Sequence, residues 1–135
     1  MGGDYAPANV VAGACQALQE AHGRFRVAFF GPEDTLRAAL RDQGSQPGGC
    51  TPSEGLYSIV HAPEVIDMHD PATAALKTKR RSSISVGLHH QKDGMADAFV
   101  SAGNTGAVLS AATLILGRLR GIGRPTIGAL DPTAK

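Results

Sequence analysis

Apolar positions recur along this chain at two alternating spacings. Over residues 7–21, Val10, Val11, Ala14, Cys15, Leu18 and Ala21 fall on one face at helical period. Pro7 suits the first helical turn and Gly23 the stop. The run FRVAFFG (25–31) is short, apolar and closed by glycine, which predicts a buried strand. Pro32 opens a second helix with Leu36, Ala39 and Leu40 on one side, and LYSIVHA (56–62) reads as the next strand. Beyond it, the pattern predicts a short helix from Pro71 and another starting near Ser82 or Ser83, both good N-cap residues. ADAFVSAG (96–103) reads as a strand, 104–119 as a helix, and RPTIGAL (124–130) as the start of a further strand. Residues 42–55 carry loop chemistry throughout and are assigned no role. Strands alternating with helices across short links imply an α/β fold with a parallel sheet covered on both faces.

Composition narrows the function without naming it. The chain has 135 residues, 42% hydrophobic and 19% charged, which suffices for one domain with a core. A net charge of +1 excludes polyanion binding by bulk electrostatics. Aromatics at 4% and no Trp argue against stacking platforms for single-stranded nucleic acid. Cys15 and Cys50 form neither a disulfide framework nor a zinc spacing, which suits a reducing cytoplasm. No apolar run reaches the length of a membrane span, and no signal peptide opens the chain. Both ends look abrupt, so the chain is expected to be a fragment.

The sharpest local feature is FVSAGNTGAVLSAATLILG (99–117), where a loop of small residues runs straight into an apolar helix. Ligands of open α/β sheets sit beyond the carboxyl ends of strands, where this loop is expected to lie. The first N–H groups of the helix and its dipole favour an anion there. Gly103 and Gly106 permit close backbone approach, and Ser101, Asn104 and Thr105 add neutral hydrogen-bonding groups. Neither a P-loop nor a dinucleotide fingerprint is present. Two readings stand: a site for phosphate or a developing oxyanion, and a tight turn capped by Asn104.

Other motifs carry similar pairs of readings. In MGGD (1–4), Gly2 and Gly3 precede a helix that Asp4 would cap, or they form a second loop facing the first. KTKRRSS (77–83) is either a patch for phosphate or an acidic partner, or a solvated helix end. His61 is a polar residue at a strand end or a general base beside Glu64, and His61, His69, His89 and His90 form no metal-ligand pattern. Cys15 is expected in the core, and neither cysteine has the surroundings of a thiol nucleophile.

Taken together, MGGDYAP (1–7), IVHAPEVIDM (59–68), ALKTKRRSSISV (75–86), DGMADAFVSAGNTGAVLSAA (93–112) and GRLRGIGRPTIGAL (117–130) resemble the phosphate acyltransferases of bacterial phospholipid synthesis, the acyl-ACP:phosphate acyltransferase family. The motifs occur in family order and cover most of the chain outside 42–55. The resemblance implies a three-layer αβα sandwich with a mainly parallel sheet, related to phosphotransacetylases and the isopropylmalate dehydrogenase-like fold. It implies that 1–135 is the N-terminal part of a single domain whose first strand and C-terminal half are missing. It implies transfer of a fatty acyl group from acyl-[acyl carrier protein] to inorganic phosphate, without cofactor or metal. It also implies a homodimer that attaches peripherally to membranes only as the full-length protein, while composition and the lack of a span lead to the expectation of a cytoplasmic chain that binds no nucleic acid.

Placed on this chain, the resemblance supplies positions, and the chemistry supplies roles. Phosphate is the nucleophile, so the site acts by positioning and by oxyanion stabilisation. Ser101, Gly103, Asn104, Thr105 and Gly106 are expected to bind phosphate or the tetrahedral intermediate, with Lys79 and Ser82 as further phosphate ligands. Asn104, Thr105 and Asp4 are the expected catalytic residues, Asp4 ordering the site or a water, and Arg80 and Arg81 are expected to contact the carrier protein. Three rivals remain: a short-chain phosphotransacetylase using acyl-CoA, a nucleotide-dependent dehydrogenase on a similar sheet, and an inactive chain that only dimerises or binds carrier protein.

Overall fold

A computed structural model describes residues 2–46 and 49–128. Helix α1 (Ala8–Ala21) leads into strand β1 (Val27–Gly31), helix α2 (Glu33–Ser45) and strand β2 (Tyr57–His61). Three helices follow, α3 (Ala72–Thr78), α4 (Ser83–Lys92) and α5 (Thr105–Ile115). β1 and β2 pair in parallel, in register from Val27 opposite Tyr57 to Gly31 opposite His61. The expected α/β character and parallel pairing are therefore present.

The side-chain alternation of β1 explains how both of its faces are covered. Phe29 is buried with Val11, Cys15, Leu36, Leu40 and Cys50, which places α1 and α2 on one face. Phe30 points the other way, its ring 5.0 Å from that of His90 on α4 and 6.5 Å from Phe99. A second core joins Ile66, Ala75, Ile84, Leu88, Ala107 and Ala111, and so packs α3, α4 and α5 together. No helix of the described residues is long and apolar enough to cross a membrane.

Several boundaries differ from the sequence expectation, each for a physical reason. Residues 42–45 continue α2 instead of entering the loop. A Leu36–Leu40 apolar stripe is already buried and carries the helix one turn further. The rest of that loop is not idle, because Cys50 drops into the first core and its thiol donates to the Cys15 carbonyl at 3.4 Å. Residues 96–103 form no strand: among the described residues none offers them a ladder, and Val100 is 92% exposed. The last helix stops at Ile115, followed by Gly117 at φ +87°. Residues 124–128 form no strand, and 129–130 lie outside the described residues.

Candidate functional site

Four of the sequence motifs converge on the N-terminus of α5. The closest approach is between the two glycine loops. Gly2 and Gly3 adopt φ of +145° and +98°, a region open to glycine. A Cβ at Gly2 would lie 2.9 Å from the Gly103 Cα, and one at Gly3 would lie 2.9 Å from the Ala102 carbonyl oxygen. The two loops thus meet backbone to backbone, as the second reading of MGGD expects. Gly106 faces α3, where an added Cβ would come within 3.2 Å of the Ala72 methyl.

Asn104 is the hub of the arrangement. Its side-chain oxygen accepts the Ala107 N–H at 3.0 Å and caps α5. Its side-chain amide donates to the carbonyls of Asp67, Met68 and Asp70 at 3.2, 3.2 and 3.1 Å. One buried residue therefore fixes the helix start and the 67–70 turn together. With its amide fully used, Asn104 presents the loop rather than its own side chain to an incoming group. Thr105 and Gly106 are exposed, and their N–H groups are the first two of α5, which helical bonding leaves open. Ser101 is also exposed, and its hydroxyl accepts the Gly103 N–H at 3.1 Å.

The basic segment reaches the same turn through Lys79. The Lys79 ammonium donates to the Asp70 carboxylate at 2.5 Å and to the Val65 carbonyl at 2.9 Å. Asp70 also accepts the Asp67 N–H at 2.9 Å. The Lys79 hydrogen bond, with help from the Asp67 N–H, holds the Asp70 carboxyl below the ordinary carboxylate range. The same bond to Asp70 raises Lys79 above the ordinary amine value. Glu64 fastens the following residues by accepting the Arg81 N–H at 2.7 Å, while its carbonyl accepts from Ser83 at 3.3 Å.

One expectation is corrected here, the capping of α1 by Asp4, and Ser82 takes a place inside the fold. Asp4 does not cap α1: it is exposed, and α1 starts after Pro7 without any side-chain cap. A turn in which the Ala6 N–H meets the Gly3 carbonyl separates Asp4 from the helix. Ser82, expected as a phosphate ligand, is fully buried. Its hydroxyl accepts the Ser85 N–H at 3.3 Å and bonds the Ser85 hydroxyl at 3.1 Å, so it is the N-cap of α4. Arg80 and Arg81 are exposed, as a contact with another protein requires. His61 stands apart from this cluster and accepts the Glu33 N–H on Nδ1 at 3.3 Å, at the start of α2. Cys15 is in the core as expected, and burial pushes its thiol up to about 11. No group of three His, Cys, Asp or Glu side chains among the described residues is arranged to hold a metal ion.

Asp70 is the site residue that sequence reasoning passed over. Its signal was its place one residue before Pro71, where the chain turns into α3.

Comparison with known proteins gives a consistent result. The sequence model of a family described as "Fatty acid synthesis protein" matches residues 1–135. A protein named phosphate acyltransferase from Salinibacter ruber is 45% identical over 135 residues, and one from Chlorobaculum parvum is 46% identical over 132. A third, from Koribacter versatilis, is 47% identical over 135 residues. These matches cover 100%, 98% and 100% of the chain, but 38%, 37% and 35% of the relatives' own lengths.

Proposed function

The chain belongs to the fatty acid synthesis protein family, and from that membership and the geometry around Asn104 we propose that it forms part of an enzyme transferring a fatty acyl group from acyl-[acyl carrier protein] to inorganic phosphate. In the reaction a phosphate oxygen attacks the thioester carbonyl carbon and the C–S bond breaks. The carrier thiolate leaves and takes up the proton that phosphate gives up, so the products are acyl phosphate and free carrier protein.

The observation that carries this reading is the open start of α5. The N–H groups of Thr105 and Gly106, which helical bonding leaves open, belong to the same exposed loop as the hydroxyls of Ser101 and Thr105. Together with the helix dipole they suit a phosphate or the oxyanion of a tetrahedral intermediate. Gly103 keeps the loop thin, and Asn104 holds it in place. Asp4, exposed next to the Gly3 junction, orders the incoming group or a water. Arg80 and Arg81 meet the acidic carrier protein. Helices on both faces of a parallel strand pair support the wider likeness to the three-layer αβα sandwich of phosphotransacetylases. A homodimer is carried by the family resemblance alone.

The test is made on the full reading frame in which this sequence sits. Acyl-[acyl carrier protein] is supplied with increasing inorganic phosphate, and both acyl phosphate and free carrier thiol are measured. The reading expects them to appear in equal amounts and to saturate with phosphate. Thiol release that ignores phosphate, or acyl phosphate made equally well from acetyl-CoA without carrier protein, would overturn it.

A further inference from the structure

Lys79 has the obvious chemistry of a phosphate ligand, yet its ammonium is committed elsewhere. It is shared between the Asp70 carboxylate and the Val65 carbonyl, at the two ends of the 65–70 segment. The same segment offers three carbonyls, from Asp67, Met68 and Asp70, and all three accept from the Asn104 amide. Asn104 in turn caps α5 through the Ala107 N–H. An unbroken chain of bonds thus runs from Lys79 through Asp70 and the turn to Asn104, and on to the Ala107 N–H, next to the open Thr105 and Gly106 groups at the start of α5.

We infer that Lys79 and Asp70 are positioning residues, which set the Thr105 and Gly106 N–H groups by fixing the turn that holds Asn104. The inference rests on the phosphate-binding reading given above. A turn tied by Asn104 alone would leave the Asn104 amide facing carbonyls free to shift. The N–H groups beyond it would then lose the alignment on which positioning catalysis depends. Asp70 is partly exposed and outside both cores, so its side chain can be removed without opening a cavity.

The experiment separates this role from direct phosphate contact. Lys79→Met, Asp70→Ala and the double variant are made in the full-length enzyme, with Lys79→Arg as the conservative replacement. Positioning predicts a drop of about tenfold in kcat/KM for phosphate in each single variant and no further drop in the double, since linked residues are non-additive. Lys79→Arg, which keeps a donor for both acceptors, restores most of the loss. Direct contact predicts the opposite for Asp70: freeing Lys79 leaves or lowers the phosphate KM. That result, or a double variant near the product of the singles, would overturn the inference. A second readout does not depend on turnover. In the full-length enzyme without ligand, the amide resonances of Thr105 and Gly106 shift in Lys79→Met and Asp70→Ala and return in Lys79→Arg. Unmoved resonances overturn the inference even if the enzyme is active, whereas shifted resonances in an enzyme that transfers no acyl group uphold it and discard the acyl-transfer reading.

Discussion

The two halves of the molecule are held together by different means. Around β1 and β2 the core is built from large side chains, Val11, Phe29, Leu36 and Leu40, with two buried cysteines filling the gaps. Backbone bonds join the two strands there, and the Cys50 thiol bond to the Cys15 carbonyl is a side-chain link within the core. Around α5 the core relies on small ones, with Ala75, Ala107 and Ala111 between Ile66, Ile84 and Leu88. Alanine interfaces let backbones approach closely but bury little apolar area, so they specify position weakly by themselves. There the polar bonds of Asn104, Lys79, Glu64 and Ser82 supply what bulk does not. The first half is a foundation secured by burial. The second half, which carries the candidate site, is located by hydrogen bonds.

Substitutions that strike one half and spare the other test this contrast. Phe29→Ala empties the centre of the first core and is expected to cost about 3–5 kcal/mol by denaturant unfolding. Next comes Asn104→Ala, at about 2–3 kcal/mol from a lost cap and unpaired carbonyls. Unlike Phe29→Ala, it is also expected to lower phosphate-dependent acyl transfer under conditions where the protein stays folded. Unchanged transfer at unchanged phosphate dependence would separate Asn104 from the site. Ser82→Ala removes only the α4 cap and should cost about 1 kcal/mol, with the phosphate KM unchanged.

The smallest effect is electrostatic. Asp70 titrates below its ordinary value when folded, so the stabilisation from its pairing with Lys79 is complete above the unfolded carboxylate pKa. It is lost as pH falls through the lower, folded value. Wild type and Asp70→Asn should therefore differ in stability at neutral pH and converge in acid. A difference that persists at the acid end would assign the effect to packing instead of charge.

What could be read in the sequence follows the range of each signal. α1, β1, α2 and β2 were legible because period and flanking Pro or Gly are local. The capping of α5 by Asn104 was legible for the same reason, as was a helix start at Ser82 or Ser83. The meeting of Gly2 and Gly3 with the 101–106 loop was one of two readings open for MGGD, and the loops meet although no strand forms over 96–103 to set one of them at a sheet edge. The strand expected over 96–103 failed because alternation states a preference, whereas pairing needs a neighbour. The three carbonyls gripped by Asn104 lie 34 to 37 residues away in sequence, and no local pattern announces them. Cys50 was hidden in the same way: its loop composition says nothing of the core it enters. The basic run at 77–83 looked uniform, but the fold divides it into a tethered lysine, exposed arginines and a buried cap.

The contact of Gly2 and Gly3 with Ala102 and Gly103 has a consequence for recombination. Because no side chain intervenes, neither loop has a cushion to absorb a shift in the other. Two stretches about a hundred residues apart behave as a single unit of inheritance. A chimaera that took its opening loop from one relative and its 101–106 segment from another would have to match them backbone to backbone. Crossovers placed between β1 and α4 would divide that unit, however well each piece folded around its own core.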